Sequence, residues 1–376
     1  MSKNRLGDYL QKYSVKNKKN LDYPVYSVTN SRGFCTEYFN KDVSGANKTT
    51  YKIVPRGYFA YNPSRINVGS VDWQNCEDNV IVSPLYVVFK CSKSLNQDYL
   101  KYFLKSNSGK RIINASISGS VRNSLNFEVL SDFQVEIRSI EEQLAAVNLL
   151  KKIEEFIKHE EHLLGLYDEL LKSLFFEMFG DFRENTKNWP IAGFNEFATI
   201  DANMTSDYEK YADYPHIGID SIEKDTGTLR GYRTVAQDGV ISGKYIFGPQ
   251  HIIYSKIRPN LNKVALPTFE GLCSADSYPI LPKKGKCNRV FLAYNMRSKF
   301  FLDYILKFSA RTNMPKVNRD DVSGFRTPLP PIDLQDDFSA VVERVELQKD
   351  DIRIRLEHFK ELWNKITDEL FNGESA

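Results

Sequence analysis

Two long apolar seams run through this chain. From Ala146 to Met178 the steps alternate between four and three residues through Ala146, Leu150, Ile153, Ile157, Glu160, Leu164, Tyr167, Leu171, Leu174 and Met178. From Phe338 to Leu370 the same steps pass through Phe338, Val342, Val345, Lys349, Ile352, Leu356, Phe359, Trp363, Ile366 and Leu370. Spacing of this kind keeps one face of a helix turned toward a partner helix, so each run predicts a long helix with a packing seam. Each seam has one charged member, Glu160 and Lys349, and such positions more often set register than carry chemistry. The seams start 192 residues apart, which makes the chain an internal repeat of one large unit.

The segments before each seam have a different period. Tyr23-Pro24-Val25-Tyr26-Ser27-Val28 and Tyr214-Pro215-His216-Ile217-Gly218-Ile219 alternate as strands do, as do the stretches around Tyr58–Arg65 and Ile252–Asn260. Glycine, proline and asparagine turns close them. Short helices are expected at Asp98–Ser106 and Val290–Phe308. Polar loops without acidic residues are expected at Lys105–Arg122 and Ser309–Lys316. The second long helix follows Pro328-Leu329-Pro330-Pro331, with Asp333 as its expected cap, and the first follows a Ser139/Glu142 capping box. The expected segments are 1–138, 139–180, 181–332 and 333–372.

Charge gives these segments different characters. Residues 1–138 hold 20 Lys+Arg against 11 Asp+Glu, and residues 181–332 hold 21 against 16. The helical stretches reverse this, with 4 against 9 in 139–180 and 6 against 11 in 333–372. Basic globular blocks beside acidic helices suit a protein whose globular parts meet a phosphate backbone. The composition, 41% hydrophobic and 26% charged, is that of a globular protein. No apolar run approaches membrane-spanning length and the N-terminus is lysine-rich, so a cytoplasmic location is expected, without membrane contact. Five cysteines without a Cys-x-x-Cys pair argue for free thiols. His159 and His162 share a helix face without a third ligand at metal-site spacing, so no metal is expected.

Catalytic signatures are missing. The chain has no Gly-x-x-x-x-Gly-Lys-Ser/Thr loop, no Gly-x-Ser-x-Gly elbow and no Glu-x-Lys. Asn62-Pro63-Ser64-Arg65 is not the Asn-Pro-Pro-aromatic signature of amino-methyltransferases.

In this order and duplication, the chain resembles the DNA-specificity subunit of Type I restriction-modification enzymes over nearly its whole length. The resemblance rests on the tandem arrangement, on Pro328-Leu329-Pro330-Pro331 through Gln335, and on Leu174-Phe175-Phe176-Glu177-Met178-Phe179-Gly180-Asp181. Tyr61–Arg65 and Tyr254–Arg258 match more loosely, and Arg138 and Ser139 stand where the first junction would carry prolines. The resemblance implies an α+β chain. Two tandem β-rich target recognition domains are separated by two long helices packed as an antiparallel coiled coil, a pseudo-two-fold repeat. It also implies binding of a bipartite, asymmetric site in double-stranded DNA, with docking of two methyltransferase subunits and of restriction subunits. No cofactor is implied on this chain, because S-adenosylmethionine and ATP belong to the partners.

The expected DNA-binding residues in the first domain are Lys52, Arg56, Tyr61, Asn62, Arg65, Lys110, Arg111, Ser116, Ser118 and Arg122. In the second they are Tyr254, Lys256, Arg258, Asn260, Arg311, Thr312, Asn313 and Lys316. These residue types make most phosphate and base contacts. Two other readings stay open at this point. One is a coiled-coil protein-interaction scaffold without DNA binding, which basic globular blocks disfavour. The other is a self-contained DNA methyltransferase or nuclease, which the missing signatures disfavour.

Overall fold

A computed structural model describes residues 3–36, 47–118, 124–309 and 315–371. It is a mixed helix and strand chain, and two compact units can be distinguished. The first comprises residues 1–161 and 354–376, the second residues 162–353, so the division falls inside both long helices. Those helices, Ile140–Phe179 and Ile332–Phe371, are 40 residues each. Among the described residues no helix is long and apolar enough to cross a membrane.

In the first unit, an antiparallel sheet places Leu10–Tyr13, Val87–Cys91, Phe59–Tyr61 and Val71–Trp73 side by side in that order. Behind it lies the helix Gln97–Lys105, capped by the Asn96 side chain. Leu6, Phe59, Phe89, Tyr99, Leu100 and Leu104 form the core, closed by Ala146, Val147 and Leu150 from one long helix and Trp363, Ile366 and Phe371 from the other. The same two helices meet through Phe156 stacked on Phe359 and through Arg355, which donates to both Glu160 oxygens at 3.0 and 2.9 Å.

The second unit repeats the plan. Its sheet runs Ala198–Ile200, Ser277–Pro282, Ile252–Ser255, Val264–Ala265, and the helix Arg289–Arg297 is capped by Asn288. Leu171, Phe175 and Phe179 pack with Phe338, Val342 and Val345 over Phe291, Phe301 and Phe325. The second unit also carries a five-stranded sheet in the order Met204–Thr205, Lys244–Phe247, Gly271–Cys273, Pro215–Ile217, Arg233–Thr234. Among the described residues of the first unit, the corresponding region holds two separate strand pairs, Ser27–Thr29 with Gly33–Cys35 and Lys52–Pro55 with Asn79–Val82.

A buried carboxamide fastens each long helix to its unit. Gln143 accepts from the Asn96 N–H at 2.8 Å and donates to the Ser94 and Arg138 carbonyls at 2.9 Å each. Gln335 accepts from the Asn288 N–H at 2.8 Å and donates to the Pro330 carbonyl at 2.8 Å and the Lys286 carbonyl at 3.5 Å. Every member of the second set stands 192 residues after its counterpart in the first. The repeat therefore extends to individual hydrogen bonds.

Lys349 is a buried cation whose ammonium donates to Asp168 at 2.7 Å and Glu346 at 2.6 Å. Lys349→Ala leaves two carboxylates facing each other beside an apolar seam. Because both keep some solvent contact, the expected loss is about 2 kcal/mol, below the cost of breaking a fully buried pair. Urea denaturation of the variant beside the parent measures it.

Three local expectations change. Lys105–Arg122 is not a loop throughout, because Asn107–Ser118 is a helix with Ile113 and Ile117 buried one turn apart. Gly109 permits it, since a Cβ there would meet the Phe103 carbonyl oxygen at 2.0 Å. The expected helix Val290–Phe308 breaks at Ser298, whose hydroxyl caps the new helix Lys299–Leu306. Asp333 lies inside the first turn of its helix and does not precede it. Ser139 and Glu142 form the expected reciprocal box, with N–H to side-chain distances of 2.9 and 3.3 Å.

Candidate nucleic-acid interface

In the second unit, long-range pairing assembles a group of cations. Residues 256–258 run against 315–317, through the Val317 N–H to the Lys256 carbonyl at 2.9 Å and the Arg258 N–H to the Pro315 carbonyl at 2.7 Å. This brings Lys256, Arg258 and Lys316 together, with Asn260 exposed in the short helical turn Pro259–Leu261. Arg258 is exposed and has a φ of 47°. The Lys256 ammonium lies 4.9 Å from the centre of the Tyr278 ring. Burial lowers its pKa first, and the charges of Lys316 and Arg319 lower it further, against the opposing pull of Asp276. Crowded cations of this kind gain from an added anion, which relieves their repulsion. Beside them a cavity of about 510 Å³ is lined by Tyr278, Lys307, Phe308, Lys316, Val317, Asn318 and Asp321.

The first unit collects a smaller cluster. Lys52 donates to the Tyr86 carbonyl at 2.6 Å, and its pKa is lowered by burial and then by the charges of Lys12 and Lys16. Arg65 is exposed at the start of the helical turn Ile66–Val68, and the Asn62 side chain closes the preceding turn by accepting from the Ser64 N–H at 3.1 Å.

Several expected residues are placed otherwise. Tyr61 and Tyr254 lie in the cores, 0% and 2% exposed, and burial pushes both hydroxyl pKa values up. Both strands are buried at every position, so neither ring is open to solvent. Arg56 is engaged locally, donating to the Asn75 carbonyl at 3.0 Å and lying 3.6 Å from Asp78. Lys110, Arg111, Ser116 and Ser118 sit on the helix Asn107–Ser118, where the two hydroxyls donate back to the Ile112 and Asn114 carbonyls at 2.9 and 2.8 Å. Arg122, Arg311, Thr312 and Asn313 lie outside the described residues.

Sequence reading missed Lys12, Lys16, Lys244 and Arg319. The first two belong to the lysine-rich N-terminal stretch, whose composition alone does not mark them as part of a site. Lys244 and Arg319 gave no local signal, because tertiary packing alone carries the strand of one and the short helix of the other to the cluster.

The model of the Type I restriction modification DNA specificity domain matches residues 6–165. Over these residues the chain is similar to the Type I restriction-modification specificity family. The match takes in the first unit's sheet, its Gln143 contacts and the Lys12, Lys16 and Lys52 cluster. The chain is 36% identical over 191 residues to the Type I restriction enzyme EcoDI specificity subunit of Escherichia coli. That alignment covers 50% of this chain and 42% of the relative, so the chain spans less than half the length of the curated relative it matches. The fold is similar to the crystal structure of a Type I restriction-modification system S subunit from M. genitalium. That similarity has a TM-score of 0.58 at 14% identity, over 100% of this chain and 96% of that one. The specificity-domain match thus falls on residues 6–165, and the second unit repeats the sheet order and the carboxamide contacts found there.

Proposed function

We propose that this chain is the DNA-recognition component of a Type I restriction-modification system and that it reads a bipartite, asymmetric site. The observation that carries this reading is the recurrence, 192 residues on, of the first unit's sheet order and buried Gln contacts, in a chain whose first copy matches the specificity-domain model. Duplicated scaffolds with unlike cationic surfaces suit two unlike half-sites. Segments 1–138 and 181–332 act as the two target recognition domains. Segments 139–180 and 333–372 act as spacer helices, paired as an antiparallel coiled coil. Phosphate contacts come from Lys52, Arg65, Lys256, Arg258 and Lys316, with Asn260 beside them.

The chain itself performs no bond chemistry in this reading. Two methyltransferase subunits dock on it and supply S-adenosylmethionine-dependent transfer, and restriction subunits supply ATP-dependent cleavage. The spacer role has a direct test. Inserting one helical turn near Lys158 is expected to lengthen the unread gap between the half-sites by about one to two base pairs, at 1.5 Å per residue, and to leave the half-site bases unchanged. Methylation-site mapping reads both quantities, and altered bases with an unchanged gap contradict the proposal.

A further inference from the structure

The two most exposed large apolar side chains among the described residues are Ile241, 95% exposed, and Leu85, 77% exposed. Single surface aliphatics are ordinary and mean little alone. What sets these apart is their setting. Each stands at the tip of a turn whose carbonyl is held by a lysine ammonium at 2.6 Å, Lys244 on Ser242 in the second unit and Lys52 on Tyr86 in the first.

Both segments are anchored. Leu85 follows Pro84, whose ring fixes its φ, and the turn closes through the Tyr86 N–H to the Ser83 carbonyl at 3.1 Å, with Tyr86 buried. Ile241 stands between Gly239, at φ 56°, and Gly243, where a Cβ would meet the Met204 methyl at 2.8 Å. Lys244 adds a second bond to the Ser242 hydroxyl at 2.8 Å. A pre-ordered turn loses little entropy when its tip is buried against a ligand.

Both turns also sit among the cations already described. Lys52 has Lys12 and Lys16 as neighbours. Lys244 and Lys256 both feel Asp276, which lies 3.5 Å from Lys316, so three ammonium groups gather about one carboxylate. An aliphatic tip beside excess positive charge matches a surface that is anionic outside and apolar in its recesses. A duplex groove has that character, with phosphates at its rim and base edges, including the thymine methyl, at its floor.

We propose that Leu85 and Ile241 are specificity-determining residues, each making aliphatic contact with base edges in one half-site while Lys52 and Lys244 hold the segments that carry them. This inference rests on the DNA-recognition reading above. The test is methylation-site mapping of cells that express the full chain with its partner subunits. The variants are Leu85→Ala, Leu85→Ser, Ile241→Ala, Ile241→Ser and the conservative Ile241→Val.

Leu85 variants are expected to relax base preference at one or two positions of one half-site only, and Ile241 variants at positions of the other only. Each loses about fivefold or more in discrimination, the size of a single lost base contact, and Val retains most of it. Thermal melting should be unchanged, because the side chains cover almost nothing. A motif identical to the parent's in the Ala and Ser variants overturns the inference, and so does uniform weakening at all positions. A parent chain that yields a single undivided motif, or none, overturns the functional reading beneath it and this inference with it.

Discussion

Alanine at Lys256, Arg258 and Lys316 together is expected to weaken DNA binding by about 100- to 1,000-fold near 0.1 M salt. Three phosphate contacts, each releasing about 0.9 of a counterion, give the plot of log affinity against log salt a slope shallower by roughly 2.7 in the triple variant. The three cations belong together because residues 256–258 pair with 315–317. Titration of labelled duplex at several salt concentrations, on the full chain, reads both quantities. An unchanged slope removes these residues from the interface. Lys316 is 3.5 Å from Asp276, so its share is expected to be the smallest of the three.

The second large effect is expected at Gln335. Its side chain is fully buried and holds the Asn288 N–H and the Pro330 carbonyl at 2.8 Å each. Gln335→Ala leaves both backbone groups buried without partners, which costs roughly 2–4 kcal/mol. For a unit of this size that corresponds to about 5–15 °C in Tm. Gln335→Glu is nearly isosteric and is expected to be at least as damaging, because a carboxylate cannot donate to the Pro330 carbonyl. Calorimetry on both variants, with Gln143→Ala as the counterpart in the first unit, checks this. A loss below 1 kcal/mol in both units would mean that water takes over these bonds.

Much of the fold was legible in the chain because its signals are local or periodic. The seam around Leu150, Ile153, Leu171, Ile352 and Leu356 is buried as its spacing required. Gly180, at φ 79°, ends the first long helix through a conformation that favours glycine. The helix Asn107–Ser118 was hidden because serines and asparagines dominate it, although Ile113 and Ile117, four apart, did mark its buried face. The candidate site was less legible. Tyrosines in strands are more often core than base-stacking, and Tyr61 and Tyr254 are core because their strands are buried along their whole length.

The sequence by itself determined the repeat, the long helices, their charged seam positions and the basic character of the globular parts. These depend on spacing and composition, which a chain carries before it folds. Only the tertiary structure decided which cations converge and which aliphatic tips stand free. Lys244, Lys256 and Lys316 come together around Asp276 through strand pairing between segments far apart in the chain. Ile241 and Leu85 stand exposed, the Leu85 turn held from afar by Lys52 and the Ile241 segment held locally by Lys244. Convergence of the cations is set by non-local hydrogen bonds and burial, which no short window of sequence contains.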